Sequence, residues 1–148
     1  MLQQTRVEAV KGYYARFLDT LPTISALADC DDDLLHKLWE GLGYYSRVRN
    51  LKKAAIIIMD RHQGSFPESH AEILKLPGIG AYTAGAVCSI AYDLPTPAVD
   101  GNVLRVVSRL LNDPTPIDLP ETKKSVTAAL SEIYPPEAVG RVCKREGI

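Results

Sequence analysis

No apolar run in this 148-residue sequence reaches the roughly 18–20 residues that a membrane span requires. The longest, from Ala54 to Met59, is bracketed by Lys52, Lys53, Asp60 and Arg61. No charged–apolar–small signal pattern follows Met1. A membrane partner and a secretory route are therefore not expected. Cysteine is scarce: Cys30, Cys88 and Cys143 are odd in number and lack metal-ligand spacing, which fits a reducing, cytoplasmic setting better than a disulfide framework. An excess of charge of either sign is also missing. The net charge of -1 counts against a dedicated nucleic-acid binder, which is usually basic. His36, His62 and His70 are scattered, and no Ser/His/Asp or Cys/His set stands out. No stretch alternates with period two, and there is no repeat or low-complexity segment.

What is present is helical periodicity. With 46% hydrophobic residues, a chain of this length can bury a core without disulfides. Val7, Val10, Tyr14, Phe17 and Leu18 share one helical face over residues 6–18. Pro22 and Thr23 end that helix and start another through Leu27. Asp31 is a candidate N-cap for a helix ending near Gly41, and a further helix spans about 45–61. Ser69 with Glu72 has the capping-box form and opens a short helix to Leu76. A small-residue helix covers about 81–92, with Ala81, Ala84, Gly85, Ala86 and Ser89 allowing close backbone packing. Asp100 starts a helix with Val103, Val106, Val107, Leu110 and Leu111 inside. A last helix covers 121–133 and stops at Pro135-Pro136. The fold is expected to be all-α, with about eight helices and a soft boundary at 93–99, where Pro95 and Pro97 force an extended link.

Four stretches carry chemistry. The first is Leu76-Pro77-Gly78-Ile79-Gly80, a tight turn between two helical patterns, with Leu76 and Ile79 as core anchors. It reads either as a plain inter-helix turn or as an anion site, because Thr83-Ala84-Gly85 lets a phosphate approach the next helix start. No strand precedes it and no Lys-Ser/Thr follows, so it is not a nucleotide-binding loop. The second is Asp100, an N-cap by position and also a carboxylate suited to stabilising a nearby cation, with Asn102 and Arg105 on the same first turn. Arg105 could hold phosphate or pair with a surface acid. The third runs from Gly41 to Leu51. Tyr44 and Tyr45 sit at a glycine-loosened turn leading to Arg47 and Arg49. Cations at a helix start oppose its dipole, which DNA phosphate would offset. An exposed aromatic there could wedge into a base stack, or the tyrosines could be core residues. The charge distribution agrees: residues 44–53 hold four cations and no acid, whereas Asp29, Asp31, Asp32 and Asp33 cluster elsewhere. The fourth is Gln3-Gln4, which could read base edges or lie at a frayed end.

In this order, Met-Leu-Gln-Gln-Thr, Gly-Leu-Gly-Tyr-Tyr-Ser-Arg-x-Arg-Asn-Leu, Leu-Pro-Gly-Ile-Gly-x-Tyr-Thr-Ala-Gly-Ala and Val-Asp-Gly-Asn-Val-x-Arg-Val resemble the adenine DNA glycosylases of the MutY type. These belong to the helix-hairpin-helix glycosylase superfamily. The resemblance runs from Met1 to about Gly140. It implies a six-helix barrel subdomain over 1–93, with the helix-hairpin-helix at about 69–92, and part of a second helical subdomain over 94–148. It implies a monomer in the bacterial cytoplasm, associated with the nucleoid. Its partner would be double-stranded DNA containing adenine opposite 8-oxoguanine or G. Adenine would be flipped out and its N-glycosidic bond hydrolysed, with Asp100 stabilising the sugar cation. Gln3 and Tyr44 correspond to residues that wedge into DNA around the lesion, and Gln4 is a further implied DNA contact. Arg47, Arg49, Gly78, Gly80, Tyr82, Thr83 and Asn102 complete the implied DNA contacts. The carbonyls of Leu74, Leu76 and Ile79 correspond to those that hold a monovalent cation. Bifunctional relatives carry a Lys where this chain has Tyr82, which implies a monofunctional enzyme without strand cleavage.

Three departures accompany the resemblance. The family's catalytic Glu falls two residues before the Met matched by Met1, and no other Glu, Glu8 included, takes its register. The family's 4Fe-4S cluster needs four cysteines, and residues 141–148 offer Cys143 alone. The domain that recognises 8-oxoguanine has no counterpart. The chain is thus expected to be truncated at both ends and weak or inactive by itself. Two alternatives stay open: a helical DNA-binding or protein-interaction module without chemistry, and an endonuclease III-like relative.

Overall fold

Pro, Gly and N-cap residues punctuate the chain closely enough that most helix ends follow from local chemistry. A computed structural model describes Met1 and residues 6–133. The described residues form eight α-helices and no strand: α1 (Val7–Thr20), α2 (Ile24–Asp29), α3 (Asp32–Trp39), α4 (Ser46–His62), α5 (His70–Ile73), α6 (Ala81–Ala91), α7 (Gly101–Leu111) and α8 (Pro120–Ile133). Gln3, Gln4, Cys143 and the Pro135-Pro136 stop lie outside the described residues. The chain divides into two compact units, Met1–Pro67 with Leu76–Gly78, and Glu68–Lys75 with Ile79–Ile148.

The first unit is built on α1 to α4. Thr23 caps α2 as its type predicts, its Oγ1 accepting from the Ala26 N–H at 3.0 Å. Asp31 occupies the N-cap position of α3 but makes no side-chain cap bond. Asp32 next to it instead pairs with Lys52 of α4, which holds the Asp32 carboxyl below its usual range. The core gathers Phe17, Leu21, Leu27, Leu35, Trp39, Val48 and Ala55. Phe17 meets Trp39 edge to face, with ring centroids 6.1 Å apart. On α1 only Val10 and Phe17 of the expected apolar face are buried, whereas Val7, Tyr14 and Leu18 are exposed.

The second unit centres on α6. Its α5 is shorter than expected and stops at Ile73. The Ser69 half of the capping box does not form, since Ser69 makes no side-chain cap bond, and Glu72 accepts from Lys75 at 2.6 Å. The small-residue face of α6 does what its composition predicts. Ala84, Gly85, Cys88 and Ser89 are buried, and a Cβ on Gly85 would sit 2.5 Å from the Pro97 carbonyl oxygen and 3.3 Å from the Ala98 Cα. Those atoms are backbone and cannot rotate aside. Gly85→Ala should therefore destabilise the protein by about 1–3 kcal/mol through overpacking, against the roughly 1 kcal/mol that a helical alanine ordinarily gains over glycine. The urea midpoint checks this, and a stabilised variant would refute it.

One expectation fails clearly. The apolar stripe of α7 is not inside: Leu104 alone is buried on this helix, while Val106, Leu110 and Leu111 are 53%, 80% and 70% exposed. Periodicity marks an apolar face; coverage depends on a neighbour, and among the described helices only α8 packs on α7 appreciably.

Candidate nucleic-acid interface and catalytic carboxylate

Asp100 is placed by the extended segment before α7. Pro97, Ala98 and Val99 are buried, and their close seat against Gly85 fixes where the next residue begins its helix. Asp100 then caps α7. Its Oδ1 accepts from the N–H groups of Asn102 and Val103, both at 2.9 Å. Its Oδ2 accepts from the Asn102 side-chain Nδ2 at 3.2 Å. Asn102 in turn accepts at Oδ1 from Arg105 Nη1 at 3.1 Å. The sequence placed these three residues on one turn; that they form a bonded series is visible only in the structure. Asp100 is half-buried, so its carboxylate is both held and accessible.

The turn at residues 41–45 presents its tyrosines outward. Gly41, Gly43 and Tyr44 all have positive φ, at 92°, 68° and 49°. A left-handed tyrosine is uncommon and needs support from its surroundings. The turn is anchored from below, where Trp39 Nε1 donates to the Gly43 carbonyl at 3.0 Å. The result sets Tyr44 59% exposed, with Tyr45 also exposed, and this corrects the alternative of a core tyrosine pair. The Arg47 guanidinium lies over the Tyr44 ring, 4.5 Å from its centroid, so the wedge candidate and a helix-start cation form one surface element. Arg49, one turn into α4, is exposed.

Of the glycine turn, Leu76 to Gly78 belong to the first unit. Gly78 has φ 78°, and a Cβ there would stand 2.8 Å from the Asn50 Cβ. Asn50 of α4 is thus the seat on which the hairpin glycine rests. Asn50 closes the Tyr-Tyr-Ser-Arg-x-Arg-Asn run, the signal in the sequence that marks it. Gly80 is the N-cap of α6, makes no side-chain cap bond and has open space where a Cβ would be. Tyr82 and Thr83 on the first turn of α6 are half-buried. Leu76 is buried as an anchor should be; Ile79 is only half-buried and Leu74 is exposed.

The described residues do not fit an iron–sulfur cluster. They contain no group of three or more His, Cys, Asp or Glu able to hold a metal. Cys30 is half-buried and donates to the Leu27 carbonyl, and Cys88 is buried in α6. Burial pushes both thiols up, away from the thiolate that a cluster requires. No helix among the described residues is long and apolar enough to cross a membrane.

Comparison with known proteins places the chain among DNA repair proteins. The family model described as HhH-GPD superfamily base excision DNA repair protein matches residues 1–136. The chain is 49% identical over 109 residues to the adenine DNA glycosylase of Buchnera aphidicola, covering 74% of this chain and 31% of that protein. It is 47% identical over 113 residues to the adenine DNA glycosylase of Schizosaccharomyces pombe, covering 75% of this chain and 24% of that protein. Among solved structures it is similar to endonuclease III trapped as a covalent intermediate with DNA in an estranged-adenine complex. That likeness has a TM-score of 0.79 at 28% identity, over 95% of this chain and 64% of the other. The chain therefore spans about a quarter to a third of the length of these two curated relatives.

Proposed function

This chain belongs to the HhH-GPD superfamily of base excision DNA repair proteins, and from that premise we propose that it is core sequence of a monofunctional adenine DNA glycosylase. The observation that carries the reading is Asp100, held as the cap of α7 by two backbone N–H groups and one carboxamide. In this reading double-stranded DNA binds through Gly78, Gly80, Thr83 and the N–H groups opening α6, with Arg47 and Arg49 on further phosphates. Tyr44 enters the base stack with Arg47 on its face, and Gln3 and Gln4 contact bases. Adenine opposite 8-oxoguanine or G is flipped out. The C1′–N9 bond then breaks through an oxocarbenium-like state, and the Asp100 carboxylate stabilises the developing cation before water completes hydrolysis. The carbonyls of Leu74, Leu76 and Ile79 would hold a monovalent cation against a bound phosphate. Residues 1–93 act as the six-helix barrel with the helix-hairpin-helix, and 94–148 as part of a second helical subdomain. The protein works as a monomer on DNA in the nucleoid. Adenine release from a duplex with adenine opposite 8-oxoguanine, read by alkaline strand cleavage in single turnover, tests the reading: it should be weak for this chain and strong once the family's upstream Glu is supplied. Release of an oxidised pyrimidine in place of adenine would overturn it.

Tyr82 gives a second test, one that bypasses base excision. On a duplex that already carries an abasic site, the wild-type chain should give little covalent complex after borohydride treatment. Tyr82→Lys should give a strong one: the amine attacks the C1′ aldehyde, water leaves, and borohydride reduces the imine to a stable secondary amine. Equal trapping by both proteins would remove Tyr82 from the sugar.

A further inference from the structure

Asn50 stands early in α4, inside a helix, where asparagine ranks below alanine or leucine because its carboxamide competes with the backbone. It is half-buried, and its side chain lies against the glycine turn. A Cβ on Gly78 would be 2.8 Å from the Asn50 Cβ and 3.0 Å from its Nδ2. An apolar side chain would fill that contact and suit the helix better. Among the described residues the carboxamide makes no hydrogen bond, and its nitrogen and oxygen both reach the surface. Arg47 one turn before it and Lys53 one turn after it share its face of α4. The carboxamide thus lies on a basic stripe that starts at the Tyr44 ring and passes Gly78.

We infer that Asn50 is a DNA-phosphate ligand, its Nδ2 donating to a phosphate seated on the Gly78 turn. The inference rests on the reading of that turn as a phosphate site. A phosphate oxygen can only accept, so the carboxamide presents its NH₂ group and not its oxygen. Gly78 packs the stem of the side chain, so few rotamers remain to be lost when the bond forms. Arg47 and Lys53 attract phosphate by charge, which acts at a distance and is screened by salt. Asn50 is neutral and acts only at bonding distance. It therefore fixes where a phosphate sits, where the cations fix only that one is near. The helical position that suits asparagine poorly within the chain suits it once DNA is bound.

The test uses the full chain and a duplex that undergoes no reaction, carrying a tetrahydrofuran ring in place of the excised nucleoside. Asn50→Leu keeps the volume against Gly78 and removes the donor. It should weaken duplex binding about tenfold, the low end for a hydrogen bond to a charged group, with the thermal midpoint not lowered. The salt dependence should stay as steep as in the wild type, because no cation is lost. Asn50→Asp sets a carboxylate against the phosphate and should weaken binding by more than tenfold, with the gap narrowing as salt is raised. A scan of single methylphosphonates along the duplex then locates the bond. At one position, where wild-type binding falls, Asn50→Leu should cost nothing further, while at every other position its tenfold cost should persist. Wild-type affinity in Asn50→Leu would leave Asn50 a steric seat for Gly78 and overturn the inference. An equal cost of Asn50→Leu at every methylphosphonate would overturn it too, since the effect would then come from the shape of the turn. If no single methylphosphonate weakens the wild type, the reading of the turn as a phosphate site fails as well. If one does and Asn50→Leu is not coupled to it, only the inference fails.

Discussion

Asp100→Asn, made in the chain supplied with the family's upstream Glu, should reduce single-turnover adenine release by about 10²–10³-fold, the usual loss when a preorganised electrostatic partner of a transition state is removed, while the protein stays folded. The two halves of this expectation come from one geometry. Asparagine is as good an N-cap as aspartate, so its side-chain oxygen can keep accepting from the Asn102 and Val103 N–H groups that Asp100 now holds. What disappears is the negative charge, together with the Oδ2 acceptor that the Asn102 Nδ2 group now meets. A few tenths of a kcal/mol to about 1 kcal/mol of helix-dipole stabilisation goes with it, far too little to unfold a domain. Asp100→Ala supplies the contrast. It removes charge and cap together, so it should lose activity and also about 0.5–2 kcal/mol of stability. Rates from alkaline cleavage and midpoints from denaturation, measured on both variants, separate the roles. An Asp100→Asn protein that keeps most of its rate would leave Asp100 a helix cap and nothing more. One that loses rate and stability in proportion would say the same by another route.

Local chemistry makes much of the architecture legible in the sequence. Pro22 with Thr23, the glycines at 41 and 43, and Asp100 each act within a few residues, and each helix boundary they imply is present within a residue or two. The small residues of α6 foretold close backbone approach, and Gly85 against Pro97 and Ala98 is that approach. What stayed hidden depends on partners distant in sequence or on competition between near-equal local options. The stripe of α7 is as periodic as that of any buried helix, yet Leu110 and Leu111 face outward, because no pattern within a helix specifies what lies over it. Ser69 and Glu72 satisfy the capping-box rule, but the Ser69 side chain makes no cap bond, and Glu72 meets Lys75. Asn50 seats Gly78 across 28 positions of sequence, a contact that no local rule reaches. At the site, the residue types of Asp100, Asn102 and Arg105 were legible, and the direction of the bonds between them was not. That direction is set by which atoms can donate, and it becomes a constraint only when the side chains are known to meet.

Trp39→Ala should be the most damaging single change to stability, at about 3–5 kcal/mol, a large share of the 5–15 kcal/mol that holds a typical domain together. Trp39 is the chain's single tryptophan and lies almost wholly buried, at 3% exposure. Its ring packs on Phe17 of α1, and its Nε1 reaches out of the core to the Gly43 carbonyl. Truncation to alanine opens a cavity and frees that carbonyl at the same time. Trp39→Phe separates the two effects, because it keeps an aromatic ring against Phe17 and removes only the donor. It should cost about 1–2 kcal/mol, part of it from the unpaired carbonyl and part from lost volume. The same bond tethers the left-handed turn that carries Tyr44. A loosened turn lets Tyr44 relax from φ 49° to an ordinary conformation, so Trp39→Phe should also weaken duplex binding more than its stability loss explains. Circular dichroism with urea, rather than fluorescence, must follow these variants, because the only tryptophan is the residue replaced. A loss below about 1 kcal/mol for Trp39→Ala would mean that the core collapses onto the gap. Unchanged duplex affinity in Trp39→Phe would mean that Gly41 and Gly43 hold the turn without help from below.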